Sequence, residues 1–236
     1  PQVVDGRAEI IEFDAKMLNG TSVRLAGLLA KPSGGGPFPG AVLLPGGRGL
    51  RVPTCYSSIL PTFLEWGYVT LTVAPRTARE KDGTRRYTYS FADHGSYGFG
   101  AAQILGASEF VDKDNLVLWG HSYGGSAVVD AAGYGGDKLE VYRAAVAVAP
   151  YCPGKARPPG LPLLVVTGEK DPEVGPVLCK DYAEKLTGTA DFEFLLLPET
   201  GHSYWVRFKR DYKYNPKTAK IAHQRVKAFY TKYLND

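Results

Sequence analysis

The sequence predicts an α/β fold, a mostly parallel, doubly wound sheet flanked by helices, and we expect one domain over residues 1–236. Short, almost wholly apolar runs recur along the chain, and helical patterns fall between most of them. Strands that are buried on both faces have such continuous apolar sequences. Alternation of strands with helices is typical of a parallel sheet covered by helices on both sides.

The first two predicted strands cover residues 8–13 and 23–30, and a flexible turn, Ser-Gly-Gly-Gly-Pro, follows at 33–37. Beyond this turn the runs become almost wholly apolar, which predicts strands buried within the sheet. These runs lie at residues 41–44, 69–73, 116–119, 144–148 and 163–166, with a further strand candidate at 192–197.

Helical patterns fill most of the intervals between these strands. The last of them places Ile221, Val226 and Phe229 toward one side and lysines toward the other, as expected for a helix that lies on a sheet. The predicted helices cover residues 56–66, 97–110, 122–132, 177–186 and 217–233.

The charge and the apolar runs of the chain argue against two classes of partner, nucleic acids and membranes. The formal net charge is only +4, and the basic residues form no long run. The tightest basic clusters, at residues 76–86 and 207–210, are best explained as solvated surface, which argues against nucleic-acid binding. No run of eighteen apolar residues exists, so no membrane span is predicted. We expect a soluble monomer or small homo-oligomer.

The cysteines leave two alternatives open. Cys55, Cys152 and Cys179 are too few for a disulfide scaffold and match no zinc-binding pattern. One bridge with one free thiol is possible, as are three buried thiols.

The numbered chain begins at Pro1 and shows no signal peptide. The expected location is therefore the cytoplasm, or a secreted or periplasmic site after removal of a signal outside this numbering.

The sequence Leu-Trp-Gly-His-Ser-Tyr-Gly-Gly at residues 118–125 contains the pattern G-x-S-x-G. The pattern alone is weak, but here it follows an apolar strand and precedes a predicted helix. This is the setting of a nucleophile elbow, a sharp turn that projects a reactive side chain at the carboxyl end of a sheet. Ser122 is therefore the predicted nucleophile.

A serine hydroxyl needs a general base to become a nucleophile at neutral pH. Two histidines follow Ser122 in the chain. His202 lies in a loop directly after the last predicted strand, whereas His223 lies among lysines in the C-terminal helix, where we expect a surface position. In hydrolases of this architecture the base comes last, after the acid, so His202 is the predicted base.

The base needs an acid to orient it. The sequence Thr-Gly-Glu-Lys-Asp-Pro-Glu at residues 167–173 follows a buried strand and offers three carboxylates. Asp171 is preferred over Glu169 and Glu173, because Gly168 turns the chain and Pro172 fixes it just beyond the Asp171 carboxylate.

An acyl transfer also needs backbone donors for the developing oxyanion. The residue after the nucleophile, Tyr123, supplies one N–H in this architecture. The second donor is expected from the turn Pro-Gly-Gly-Arg-Gly at residues 45–49, with Gly47 preferred and Arg48 next. A purely structural turn is the alternative for this segment.

The segments LLPGGRG, DNLVLWGHSYGG, VVTGEKDP and ETGHSY together resemble the dienelactone hydrolase family of α/β-hydrolases. The resemblance extends from about Gly40 to the C-terminal helix. It implies Ser122 as nucleophile, Asp171 as acid and His202 as base, with neither a metal nor another cofactor. The founding enzymes of that family use cysteine as nucleophile, so serine at position 122 indicates a carboxylesterase or lactonase rather than true dienelactone chemistry.

The predicted substrate site is open. Many lipases insert a lid domain after the strand that ends at Val148, but here residues 149–162 are too few and are rich in Pro and Gly. Small or soluble ester and lactone substrates are therefore expected. His94 lies near Asp93 without further ligands at metal spacing, so no metal site is predicted there. The candidate substrate contacts are Arg76, Tyr87, Tyr151 and Trp205.

The predicted function is thus a serine hydrolase that cleaves small esters or lactones through an acyl-enzyme on Ser122. A promiscuous phosphotriesterase at the same site is an alternative, and an oligopeptidase is a weaker one. A hydrolase-fold ligand sensor that does not turn over is the alternative outside enzymes.

Overall fold

The computed structural model describes residues 8–51, 53–86, 88, 90–134, 136–202 and 215–235. Eight strands form one sheet. They are β1 (Ala8–Lys16), β2 (Ser22–Ala30), β3 (Phe38–Leu44), β4 (Val69–Arg79), β5 (Val111–His121), β6 (Ala144–Val148), β7 (Leu163–Gly168) and β8 (Phe192–Leu197). The helices are α1 (Pro53–Glu65), α2 (Phe91–Gly106), α3 (Tyr123–Tyr134), α4 (Val177–Lys185) and α5 (Pro216–Tyr233), and short 3₁₀ turns cover Gly49–Arg51 and Gly136–Val141.

The strand order is β1-β2-β4-β3-β5-β6-β7-β8. The strand β2 runs antiparallel to both of its neighbours, whereas all pairings from β4 to β8 are parallel. Because the strands from β3 onward are parallel, their carboxyl ends meet at one edge of the sheet. The predicted class, a mostly parallel sheet flanked by helices, is confirmed.

The two faces of the sheet carry separate hydrophobic cores. In β5, Leu116 and Leu118 pack on the face covered by α2, α3 and α4, while Val117 and Trp119 pack on the face covered by α1 and α5. Burying one such side chain completely stabilises the fold by about 1.5–3 kcal/mol. Helix α5 is also fixed by a hydrogen bond of 2.7 Å from the Tyr230 hydroxyl to the Leu118 carbonyl. Both faces therefore hold β5 in place.

Helix α2 begins six residues before the predicted start and ends four residues before the predicted end. The Ser90 hydroxyl caps it by accepting a hydrogen bond from the Asp93 amide. Glycines weaken the helical pattern of this segment, but they permit close packing: a Cβ at Gly100 would lie 2.4 Å from the Cβ of Ala15. Tertiary packing thus overrides the low helix propensity of glycine here.

The structure decides between the two cysteine alternatives. Cys152 and Cys179 form a disulfide bond, and both residues are fully buried. The bond connects the segment after β6 to helix α4. The side chain of Cys55 lies outside the described part of the structure.

His223 departs from its predicted surface position. Its ring is half-buried and packs edge-on against Trp66, with 6.3 Å between ring centroids. Burial lowers the pKa of His223 to about 4. The helical pattern placed this residue among lysines, but Trp66, directly after α1, packs against the ring.

Residues 149–162, between β6 and β7, contain neither a helix nor a strand. No lid domain is therefore inserted at this point, as predicted. Among the described helices, none has both the length and the apolar character that crossing a bilayer requires.

Candidate active site

Ser122 lies between the last residue of β5 and the first residue of α3. Its φ angle is 54°, in the left-handed region that costs a residue other than glycine about 1–2 kcal/mol. The Ser122 amide donates a hydrogen bond of 2.8 Å to the Val148 carbonyl at the end of β6, which holds this strained turn in place. The hydroxyl is thus presented at the carboxyl edge of the sheet, as expected of a nucleophile elbow.

Two glycines of the G-x-S-x-G pattern are required by close backbone contacts. A Cβ at Gly120 would lie 2.3 Å from the Gly124 carbonyl oxygen, and a Cβ at Gly124 would lie 2.1 Å from the Leu44 carbonyl oxygen. Both distances are far below any contact that a real Cβ makes. The spacing of the pattern therefore reflects how tightly α3 turns back onto β3 and β5.

The structure brings Ser122, His202 and Asp171 into one hydrogen-bonded chain. The Ser122 Oγ lies 2.8 Å from His202 Nε2, and His202 Nδ1 lies 2.7 Å from Asp171 Oδ2. A carboxylate can only accept a hydrogen bond, so Nδ1 carries the proton and Nε2 is free to accept from the serine hydroxyl. This is the tautomer that a general base needs.

Asp171 is 4% exposed and held in one orientation. Its Oδ1 accepts hydrogen bonds from the amides of Glu173, at 2.9 Å, and Val174, at 3.2 Å. Burial by itself raises the pKa of Asp171, but the hydrogen bond and charge of His202 and these two amides outweigh it, so the pKa lies below its ordinary value. The acid therefore stays ionised beside His202 at neutral pH.

Glu173, which the sequence offered only as an alternative acid, occupies a different position. Its Oε2 lies 3.5 Å from His202 Nε2, on the side of the ring that also contacts Ser122. The Glu173 side chain is 44% exposed. Asp171 thus lies at His202 Nδ1, whereas Glu173 lies on the Nε2 side of the ring and is partly exposed to solvent.

The turn after β3 lies against the elbow. The Gly49 amide donates a hydrogen bond of 2.8 Å to the Gly46 carbonyl. A Cβ at Gly46 would lie 3.3 Å from the Ser122 Cβ, and one at Gly47 would lie 3.8 Å from the Tyr123 Cβ. The predicted donor residues Gly47 and Tyr123 are therefore neighbours beside Ser122.

Arg76, a candidate substrate contact, forms hydrogen bonds with this turn. Its Nε and Nη2 donate hydrogen bonds of 3.2 Å and 2.5 Å to the Gly47 carbonyl. Arg48, the second choice for the oxyanion donor, has an exposed side chain. Tyr151 follows β6 and is 46% exposed, with its amide bonded to the Ser126 hydroxyl.

Two candidate substrate contacts, Tyr87 and Trp205, lie outside the described residues.

The ring of Tyr123 packs against Phe91 and His94, each with 4.7 Å between ring centroids. His94 is 2% exposed, and burial lowers its pKa. The described residues contain no group of three His, Cys, Asp or Glu side chains placed to hold a metal ion.

His121, the residue before Ser122, was not singled out by the sequence. Its ring stacks on Trp119 and lies 5.3 Å from the ring of His202, and its Nε2 lies 3.4 Å from the His202 carbonyl oxygen. Burial, and secondly the charge of His202, lower the pKa of His121 to about 4. Its place at the end of the buried run 115–121 of β5 was the signal that could have identified it.

The prolyl oligopeptidase family model of peptidases matches residues 61–153, which include Ser122 and its flanking glycines. Among curated proteins, none matches this chain.

Solved structures show the similarity over the whole fold. A protein named as a dienelactone hydrolase from Klebsiella pneumoniae superposes with a TM-score of 0.70 at 17% identity, covering 95% of this chain and 100% of its own. A dienelactone hydrolase-like promiscuous phosphotriesterase from metagenomic libraries gives a TM-score of 0.71 at 16% identity, with 98% and 100% covered. Dipeptidyl peptidase 4 of Porphyromonas gingivalis gives 0.69 at 18% identity, with 97% of this chain but only 36% of the peptidase covered.

These identities show the fold rather than the substrate. The similar structures cover nearly all of this chain, and the two dienelactone hydrolase-type structures are matched over their full length. The chain therefore has the fold of the dienelactone hydrolase-like α/β-hydrolases.

Proposed function

We propose that this protein is a serine hydrolase that cleaves small carboxylic esters or lactones through an acyl-enzyme on Ser122. The observation that carries the proposal is the hydrogen-bonded chain from Ser122 through His202 to Asp171, with Ser122 on a strained turn. A serine in a structural loop needs neither the positive φ nor a buried base and acid in this order.

The reaction follows from the positions of these groups. His202 Nε2 takes the Ser122 proton while Oγ attacks the carbonyl carbon, and the amides of Gly47 and Tyr123 stabilise the resulting oxyanion. The protonated Nε2 then gives its proton to the leaving oxygen as the carbonyl–oxygen bond breaks. Water, deprotonated by the same nitrogen, attacks the acyl-enzyme and releases the acid and Ser122.

Small substrates are proposed because nothing inserted between β6 and β7 covers the site. Residues 149–162 form an irregular segment that Cys152 ties to helix α4. Long acyl chains need an enclosed apolar surface to replace water, whereas short acyl groups gain little from one.

The test is hydrolysis of p-nitrophenyl esters from acetate to decanoate by the wild type and by Ser122→Ala. We expect repeated turnover that is fastest on short chains and falls at least about 1000-fold in the variant, which retains the backbone donors but lacks the nucleophile. Equal activity of variant and wild type would remove Ser122 from the mechanism. A stoichiometric burst without turnover would support the ligand-sensor alternative instead.

A peptidase is the second candidate, because the prolyl oligopeptidase family model covers the elbow and dipeptidyl peptidase 4 shares the fold. Amide cleavage uses the same groups, but the leaving amine must be protonated by His202. Peptidyl p-nitroanilides, assayed beside the esters, separate the two: turnover of anilides at rates similar to the esters would favour the peptidase. Activity on a phosphotriester such as paraoxon would support the activity for which one similar structure is named.

We also propose an oxidising compartment as the site of action. The buried Cys152–Cys179 bond supports this, because disulfides persist in secreted and periplasmic proteins and are rare in the reducing cytosol. The test lyses the cells in denaturant with an alkylating agent and counts the alkylated cysteines of the protein by mass spectrometry. One alkylated cysteine is expected, and three would contradict the proposal.

A further inference from the structure

The Glu173 carboxylate lies at the reactive side of the candidate base, where no catalytic role has been assigned to it. Its Oε2 is 3.5 Å from His202 Nε2, and the same nitrogen is 2.8 Å from the Ser122 hydroxyl. The Glu173 amide meanwhile donates to Asp171 Oδ1 at 2.9 Å, which fixes the backbone from which the carboxylate projects. The backbone of Glu173 is therefore fixed relative to Asp171.

Among the described residues, none donates a hydrogen bond to the Glu173 carboxylate, which is 44% exposed to solvent. His202 carries its proton on Nδ1, so Nε2 and the Glu173 oxygens are all acceptors and cannot hydrogen-bond to one another. Within the described part of the chain, no lysine or arginine pairs with Glu173. A negative charge thus faces the site beside His202 Nε2, and none of the described lysines or arginines neutralises it.

The leaving group must approach this charge. Nε2 delivers its proton to the leaving oxygen, and that transfer needs a distance of about 2.6–3.2 Å between the two atoms. An oxygen so close to Nε2 lies near the Glu173 carboxylate as well. Substituents one or two carbons beyond the leaving oxygen can then reach Glu173.

The surrounding loops add to the negative charge on this side. Residues 169–173 and 199–202 contain four acidic side chains and a single lysine, which gives a net charge of −3 with neutral His202. Lys170 is already paired with Glu199 at 3.4 Å. The described residues on the leaving-group side thus attract cations and repel anions.

We propose that Glu173 determines leaving-group specificity, favouring esters whose alcohol carries a positive charge close to the ester oxygen, as in esters of quaternary amino alcohols. The inference rests on the proposed ester hydrolysis, since it names which alcohols that reaction releases best. Glu173 acts by attracting the substrate's charge and takes no part in proton transfer.

The test compares acetylthiocholine with 3,3-dimethylbutyl thioacetate, its uncharged isostere, and measures thiol release at low ionic strength. In Glu173→Gln, the ratio of kcat/KM for the charged over the neutral substrate should fall about three- to fivefold, the range of a partly exposed charge pair. The fall should come from a higher KM for acetylthiocholine, because the attraction exists before the chemical step. Glu173→Lys should lower the ratio further.

The matched control is Glu199→Gln, which removes a carboxylate of the same surface that is paired with Lys170 rather than placed on His202. Its ratio should stay within about 1.5-fold of the wild type. An unchanged ratio in both Glu173 variants, or an equal fall in the control, would overturn the proposal. So would turnover of p-nitrophenyl acetate without any turnover of acetylthiocholine. Failure of the wild type on every ester would instead refute the proposed function itself.

Discussion

The Arg76 guanidinium holds the Gly47 carbonyl through two hydrogen bonds, of 3.2 Å from Nε and 2.5 Å from Nη2. The aliphatic part of the same side chain packs under Gly49, whose position would place a Cβ 3.6 Å from Arg76 Cδ. Arg76 lies on β4, and the turn follows β3, so the arginine connects neighbouring strands at the edge where Ser122 stands. It fixes the peptide between Gly47 and Arg48, which directly follows the Gly47 amide proposed to stabilise the oxyanion.

Arg76→Ala should therefore act on kcat rather than on KM. Removing an oxyanion donor outright costs about 100- to 1000-fold in kcat, and a donor that is merely released from its support should cost less, about 10-fold. Steady-state kinetics on p-nitrophenyl acetate, which has no charge in its acyl group, measures the effect. If Arg76 instead binds a substrate carboxylate, this neutral substrate will show an unchanged kcat.

Most of the sheet could be predicted because its strands are buried on both faces, which leaves apolar runs such as 144–148 and 163–166 in the sequence. The candidate nucleophile, base and acid could also be proposed from the sequence, since each follows a separate strand. What escaped prediction depends on contacts between distant residues. The Arg76–Gly47 pair spans 29 positions and the disulfide spans 27, and neither follows a local pattern.

Gly124→Ala should disrupt the elbow. Its new Cβ would lie 2.1 Å from the Leu44 carbonyl oxygen, which belongs to the backbone of a buried central strand and cannot move aside cheaply. We expect a loss of more than about 4 kcal/mol in the free energy of unfolding, at the extreme of single substitutions, or failure to fold. Urea denaturation followed by circular dichroism measures it.

Gly133→Ala is the matched control on the same helix. Its Cβ would meet the Cβ of Arg157 at 3.6 Å, an ordinary contact, so the helix propensity of alanine should prevail. The expected result is a gain of about 0.5 kcal/mol. Equal stability of the two variants would contradict the steric role assigned to Gly124.

The Cys152–Cys179 bond should stabilise the fold mainly by restricting the unfolded chain. For a sequence separation of 27, the loop-closure model gives about 3–4 kcal/mol. Substituting both cysteines by alanine should lower the unfolding free energy by about that amount, measured in urea without reductant. Adding reductant should destabilise the wild type but leave the double variant unchanged, and equal responses of the two proteins would show that the bond does not contribute.

His121 should make the protein less stable as the pH falls below neutral. Burial sets its pKa at about 4 in the folded protein, against an ordinary value of 6.5, so the unfolded chain binds more protons between these two pH values. Its contribution is fully present above about pH 6.5 and is lost progressively as the pH approaches 4. Between pH 7 and pH 5 the expected loss is about 2 kcal/mol.

His121→Phe isolates this effect, because phenylalanine keeps a flat ring against Trp119 but cannot be protonated. The substitution also removes the contact with the His202 carbonyl, which lowers stability equally at both pH values. His223 likewise has a low pKa, but it is present in both proteins and cancels from their difference. Urea unfolding at pH 7 and pH 5 should therefore show a pH-dependent loss about 2 kcal/mol smaller in the variant. An identical loss in both would mean that His121 does not have the low pKa that its burial imposes.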